Sequence, residues 1–194
     1  MTPSPTMTAT DKAFDELLRQ RLGPLYMGWT GAKYAATIGG GFVARPAGAE
    51  KRGYVVHHTA GTAADTGENI WRFHTGHNGW ATAGYHCFIR SDGRVELLIP
   101  PSWMSYSVAE HNPYWVAVCC AGNLEANEPP APLLRSLYRV LCACDDVLGD
   151  RPWKAHREVM PGHTSCCGVH LFAHLQQMRG PKYGAKYPRP ADYV

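Results

Sequence analysis

Two uninterrupted apolar runs constrain this chain more than anything else in it. Tyr54–Val56 leads into His57 and His58 and stops at Thr59-Ala60-Gly61, and Trp115–Cys120 has no polar residue at all. Both are too short for helices, and neither alternates. A short apolar run closed by a turn signal reads as a strand covered on both faces. Such strands need helices above and below them.

The helices can be read around these runs. Thr10 is placed to cap a helix over Asp11–Leu22, whose Phe14, Leu17, Leu18 and Leu22 share a face before Gly23-Pro24 stops it. Asp65–His77 carries Ile70, Phe73, His74 and His77 near one face. Leu133, Leu134, Leu137, Val140, Leu141 and Cys144 form the stripe of a helix over Pro132–Leu148, and Leu171, Leu175 and Met178 that of one over Gly168–Met178. Between them, Ala83–Arg90 and Val95–Ile99 flank Ser91-Asp92-Gly93, a strong hairpin signal. Trp153–Ala155 reads as a short strand running into His156. The expected class is α/β, with a mixed central β-sheet, helices on both faces and a single domain.

The expected organisation is an N-terminal extension over residues 1–50 with one helix, a main body over 51–180, and a loose tail over 181–194. Met1–Ala9 is rich in Pro, Ser and Thr and is expected to be disordered. Tyr26–Glu50 is rich in Gly and Ala, shows no period, and breaks at Gly39-Gly40-Gly41.

With 194 residues, 45% of them hydrophobic, the chain can bury a core without a disulfide scaffold. A net charge of +3 is too weak to imply nucleic acid, but it suits approach to an anionic surface. The seven cysteines are odd in number and partly adjacent (Cys119-Cys120, Cys166-Cys167), which is not a disulfide framework and implies a reducing compartment. No apolar run is long enough to span a membrane, and the N-terminus carries no signal-peptide pattern. A monomer without membrane insertion is expected.

Zinc chemistry is a candidate for the histidines and cysteines. Catalytic zinc takes three His, Cys or carboxylate ligands and leaves one position open. His57 sits where a strand meets a loop, and His156 and Cys166 lie about a hundred residues further on. No Cys-x-x-Cys is present, so the spacing is not that of a structural finger. On the residues alone, rim and core histidines satisfied by backbone hydrogen bonds remain the alternative.

Three segments stand out together: Val55-Val56-His57-His58-Thr59-Ala60-Gly61; Gly84-Tyr85-His86 with its Asp92-Gly93 hairpin; and His156-Arg157-Glu158-Val159 followed by Thr164-Ser165-Cys166-Cys167-Gly168. In this order they resemble the first, second and third motifs of the zinc-dependent N-acetylmuramoyl-L-alanine amidases, the family of phage endolysins and peptidoglycan recognition proteins. The resemblance implies one Zn2+ held by His57, His156 and Cys166, with Tyr85 and Thr164 as catalytic residues beside the scissile carbonyl. It sets peptidoglycan, both stem peptide and glycan, as the partner. His58, beside the first ligand position, His111, in the loop after Ser107-Val108-Ala109, and Trp80, which with Trp103 is a candidate flank of a glycan groove, are the candidate substrate contacts. His86, on the opposite strand face from Tyr85, is read as a core residue.

The chain departs from the family pattern at three places. Cys167 stands where members carry Pro. The stretch from His156 to Cys166 is longer than expected, which leaves Cys167 and His163 as alternative third ligands. Ala121 stands where some members carry a Glu, which shifts the weight to Tyr85. The expected function is cleavage of the amide between N-acetylmuramic acid and L-alanine by an endolysin held in the host cytoplasm until released to the wall. A non-catalytic recognition module and a cytoplasmic wall-recycling amidase are the alternatives.

Overall fold

The structure is a computed structural model that describes residues 6–179; the expectations for residues 1–5 and for the tail from 180 lie outside the described residues. Helix α1 (Ala9–Leu22) leads through a short 3-10 turn into β1 (Tyr26–Trp29), α2 (Thr30–Ile38) and β2 (Val43–Ala44). Then follow β3 (Gly53–His58), α3 (Gly67–Arg72), a π-helical turn (Phe73–His77), β4 (Cys87–Ile89), β5 (Val95–Leu97) and β6 (Trp103–Met104). The chain continues through β7 (Trp115–Cys120), α4 (Ala131–Leu148), β8 (Trp153–Ala155), α5 (His156–Val159) and α6 (Val169–Arg179).

Six strands form a mixed sheet in the order β1-β5-β4-β7-β3-β8, and β2 pairs with β6 apart from it. Only the β4–β5 hairpin is antiparallel in the main sheet; its other neighbours run parallel. The two apolar runs lie at the centre, with Val56 opposite Val118 and His57 opposite Cys119. Side-chain alternation divides them between two layers. Tyr54 and Val56 of β3 and Val116, Val118 and Cys120 of β7 pack with α1, α4 and α6. On the other face, Val55 and Ala117 pack with Val159 and Met160, and Phe88 and Cys119 with Tyr34 of α2 and Trp71 of α3. This is the expected mixed sheet with helices on both faces. Among the described residues no helix is long and apolar enough to cross a membrane.

Several boundaries differ from those expected. Thr8, not Thr10, caps α1: its hydroxyl accepts from Asp11 N at 3.1 Å while Asp11 Oδ2 takes Thr8 N at 2.9 Å. The reciprocal capping box starts the helix at Ala9, two residues earlier than expected. Before residue 50 the chain has a second helix, α2, and an edge strand, β1, where the sequence shows no period. Gly31 is the reason that α2 fits: a Cβ there would lie 1.7 Å from Leu98 O. The strand expected over Ala83–Arg90 is regular only at Cys87–Ile89. Before it, His86 enters the sheet through its own ring, with Nδ1 accepting from Ala117 N at 2.9 Å and Nε2 at 3.1 Å from Trp103 O. His86 is fully buried, as read from the strand period.

Candidate metal centre

The C-terminal end of β3, the start of α5 and the loop before α6 meet at one point. His57 ends the face of β3 that carries Val55, His156 is the first residue of α5, and Cys166 lies in the turn ahead of α6. One donor atom from each of the three lies within 4.8 Å of the others. Cys166 Sγ is 3.6 Å from His57 Nδ1, and the two imidazole centroids are 4.6 Å apart. A thiolate at ~2.3 Å and an imidazole nitrogen at ~2.0 Å from a tetrahedral zinc lie about 3.6 Å from each other. The donor set and its spacing therefore fit zinc.

The electrostatics agree with that fit. Burial, and then the neighbouring His156, lowers His57 well below the ordinary imidazole value; burial lowers His156 too. Both rings are neutral and offer a lone pair. His57 Nε2 is buried without a hydrogen-bond partner. Burial pushes the Cys166 thiol up to about 11, so a thiolate forms there only beside a cation, and coordinating zinc deprotonates such a thiol.

The cysteine loop is held from several sides. Arg157 N donates to Cys166 O at 2.7 Å, and the Arg157 guanidinium reaches Ser165 O. Thr164 Oγ1 accepts from Cys166 N at 3.1 Å, which leaves the Thr164 O–H as a donor. Cys167 is fully buried in the core with Leu124 and Leu171, and His163 is exposed in a turn. Neither joins the group, so the alternatives to Cys166 are set aside by the packing.

Tyr85 lies beside the centre, its ring centroid 5.2 Å from that of His57. Burial, and then the nearby Cys119, raises its phenol well above the ordinary value, so it keeps its proton. Trp80 is one ring further out: it stacks on His74 at 4.7 Å, and His74 meets Tyr85 edge-on at 5.4 Å. His74 also accepts from Gly84 N at 3.0 Å through Nδ1, which fixes the backbone next to Tyr85. His111 opens the 3-10 turn before β7. Ala121 is buried in the α2–α3 layer and supplies no acid or base.

His58 faces away from His57, onto the other side of the sheet, and its Nδ1 accepts from Leu124 N at 3.0 Å. It is 8% exposed and anchors the Leu124 backbone. Leu124 in turn abuts Gly168, where a Cβ would fall 2.3 Å from the Leu124 carbonyl carbon. His58 thus reaches the cysteine loop through Leu124. Sequence reasoning missed Leu124, which no motif marks; Gly168, with φ +88°, was the visible trace of the contact.

A profile of the N-acetylmuramoyl-L-alanine amidase family matches residues 47–169. The chain belongs to that family. Similar proteins include human N-acetylmuramoyl-L-alanine amidase, 30% identical over 131 residues that make up 65% of this chain and 22% of that protein. Drosophila melanogaster peptidoglycan-recognition protein SC1a is 25% identical over 134 residues, 63% of this chain and 70% of that one. Among solved structures, the endolysin of Thermus scotoductus MAT2119 bacteriophage Ph2119 superposes with a TM-score of 0.67 at 24% identity, covering 77% of this chain and 96% of that one. Drosophila peptidoglycan recognition protein SD gives a TM-score of 0.62 at 23% identity, covering 71% and 85%. At these identities the superpositions show a shared fold. The family's region begins at residue 47, and the α1–β2 segment precedes it.

Proposed function

We propose that this member of the family is an active zinc amidase that hydrolyses the bond between N-acetylmuramic acid and L-alanine in peptidoglycan. The observation that carries the reading is the convergence of His57, His156 and Cys166 at zinc-ligand spacing with a protonated Tyr85 alongside. A recognition module without activity has no need of the complete donor set.

Bound zinc would supply a Lewis acid for the carbonyl and a water with a pKa of about 7. The other roles fall to the chain itself. His57, His156 and Cys166 would hold the ion. Tyr85 keeps its phenol proton and is proposed to donate it as a hydrogen bond to the carbonyl oxygen as negative charge grows there. Such a preorganised donor is worth about a hundredfold in rate or more. The Thr164 hydroxyl, oriented by Cys166 N, is proposed as a second donor. Trp80, stacked on His74, is proposed as a wall of the substrate groove.

The setting proposed is host-cell lysis by an endolysin released from the cytoplasm to the wall, supported by the endolysins among the proteins of this fold. The deciding experiment is mass spectrometry of the soluble products after the zinc-loaded protein has acted on purified peptidoglycan. New L-alanine amino termini with intact glycan strands are expected. Sedimentation with the wall without any new amine would overturn the enzyme reading in favour of the recognition module. Lysis of permeabilised cells, against none of intact cells, is the result expected for the endolysin role.

A further inference from the structure

His74 closes a loop onto two aromatic side chains beside the metal centre. It belongs to the π-helical turn after α3 and stands ten positions ahead of Gly84. Its carbonyl accepts from Trp80 N at 2.9 Å, and its Nδ1 accepts from Gly84 N at 3.0 Å. One residue thus closes the loop twice, by its main chain at Trp80 and by its ring at the neighbour of Tyr85. The ring also touches both side chains. It stacks on Trp80 with centroids 4.7 Å apart and planes at 22°, and it meets Tyr85 edge-on at 5.4 Å and 63°.

This place suits an imidazole. Burial lowers His74 to about 4, so the ring is neutral above that value. Because Gly84 N donates to Nδ1, the ring proton sits on Nε2. The loop asks for a flat ring with an acceptor on its edge: phenylalanine has only the ring, and asparagine only the acceptor. Gly84 permits the approach, since a Cβ there would lie 2.9 Å from His74 Cε1 and 3.2 Å from Tyr106 O. His74 is 6% exposed, so it acts through its neighbours. The course of the loop is also held by other contacts. Gly41 N donates to Ala81 O at 2.8 Å, Trp71 Nε1 to Gly39 O at 2.8 Å, and Tyr106 N to Ala83 O at 3.3 Å. What the His74 ring adds is the aim of two side chains.

We propose that His74 is a positioning residue that sets Tyr85 and Trp80 against the metal centre. Its Nδ1 fixes the Gly84 backbone and with it the Tyr85 phenol; its face fixes the Trp80 ring. The inference rests on the amidase reading for what those two residues do. Under that reading the two halves of His74 serve different steps. The bond to Gly84 serves the chemical step, because a hydrogen-bond donor counts most once charge has developed on the carbonyl oxygen. The stack on Trp80 serves substrate binding.

The test measures kcat and KM for release of L-alanine amino termini from purified peptidoglycan by the zinc-loaded full chain. Beside them, NMR follows amide hydrogen exchange at Gly84 and the ring resonances of Tyr85. In His74→Phe, kcat should fall roughly ten- to a hundredfold with KM and zinc content near those of the wild type, because a small misplacement of a donor loses that much. His74→Asn should keep Gly84 protected and retain most of kcat, and instead raise KM by roughly two- to tenfold, the worth of one aromatic contact. His74→Phe/Tyr85→Phe should be no slower than Tyr85→Phe alone, since a residue that acts through Tyr85 then has no hydroxyl left to aim. The inference is overturned if His74→Phe keeps its kcat, if its Gly84 exchange and Tyr85 resonances match those of the wild type, if the two substitutions multiply in the double variant, or if His74→Asn loses kcat as His74→Phe does. Wild-type protein that releases no amine would sink the amidase reading instead, and the Gly84 and Tyr85 signals would still decide whether His74 places that ring.

Discussion

His58→Phe is the substitution that most directly tests how the metal centre is held. The ring of His58 is 8% exposed, and its Nδ1 is the acceptor for Leu124 N at 3.0 Å. Phenylalanine keeps the bulk and removes the acceptor, which strands a buried N–H. That omission costs about 1–3 kcal/mol. For a chain of this size each kcal/mol lowers Tm by roughly 2–4 °C. Leu124 also accepts from His170 N at 3.2 Å and presses on Gly168, so its displacement loosens the Cys166 turn. Loss of a group that orients a ligand typically weakens metal affinity by roughly 10–100-fold. The assays are urea unfolding and zinc competition against a chelator, with hydrolysis measured at saturating zinc. His58→Asn, whose Oδ1 takes the place of Nδ1, should recover most of both losses. The reasoning is refuted if His58→Phe keeps its stability and zinc affinity. Lost hydrolysis at full zinc occupancy and unchanged stability would return His58 to the role of a substrate contact.

Three further outcomes are expected. Cys166→Ser should lose bound zinc and hydrolysis together, whereas Cys167→Ser should keep the zinc and instead lose stability, because it places a hydroxyl in the core; metal analysis beside thermal unfolding separates the two. Acid should destabilise the fold through His86, whose pKa burial, and then the Arg45 charge, depresses to about 3. The unfolded state takes up this proton below the ordinary value of about 6.5, so the stability is fully present above that value and is lost as pH falls towards 3; between pH 7 and 5 the loss from this residue is about 2 kcal/mol. Urea unfolding across that range should show it, and a His86→Asn variant with an unchanged slope would count against it. Gly168→Ala would put a methyl group 2.3 Å from the Leu124 carbonyl carbon at a φ of +88°, so weakened zinc binding by chelator competition is expected, and wild-type affinity would mean that the loop has no need of this contact.

The elements legible in the sequence are those whose pattern is local. The runs at Tyr54–Val56 and Trp115–Cys120 are the central strands, and the stripe from Leu133 to Cys144 is α4, because burial on one or two faces writes its own period into the residues. The edge strand β1 and helix α2 left no such mark. The first is four residues long, and the second fits through the glycine at Gly31 and not through an apolar stripe. The boundaries of the Asp65–His77 helix moved for a similar reason: Thr66 caps at Asn69 N, and the last turn widens into a π-helical one.

The sequence by itself determined that a strand ends in two histidines, that a further histidine and a cysteine follow in a fixed order, and that the surrounding segments have the form of an amidase. Alternation along β3 even dictates that His57 and His58 point to opposite faces. Only the tertiary structure decided which face holds the candidate metal donors, that Cys166 and not Cys167 lies beside them, and that the His58 ring accepts from Leu124 N. Those outcomes depend on which groups stand opposite one another across gaps of 66 residues, for the His58 ring and Leu124 N, and 109, for the His57 and Cys166 side chains. A hydrogen bond or a ligand set is a property of two places in space, and local pattern carries information about only one of them.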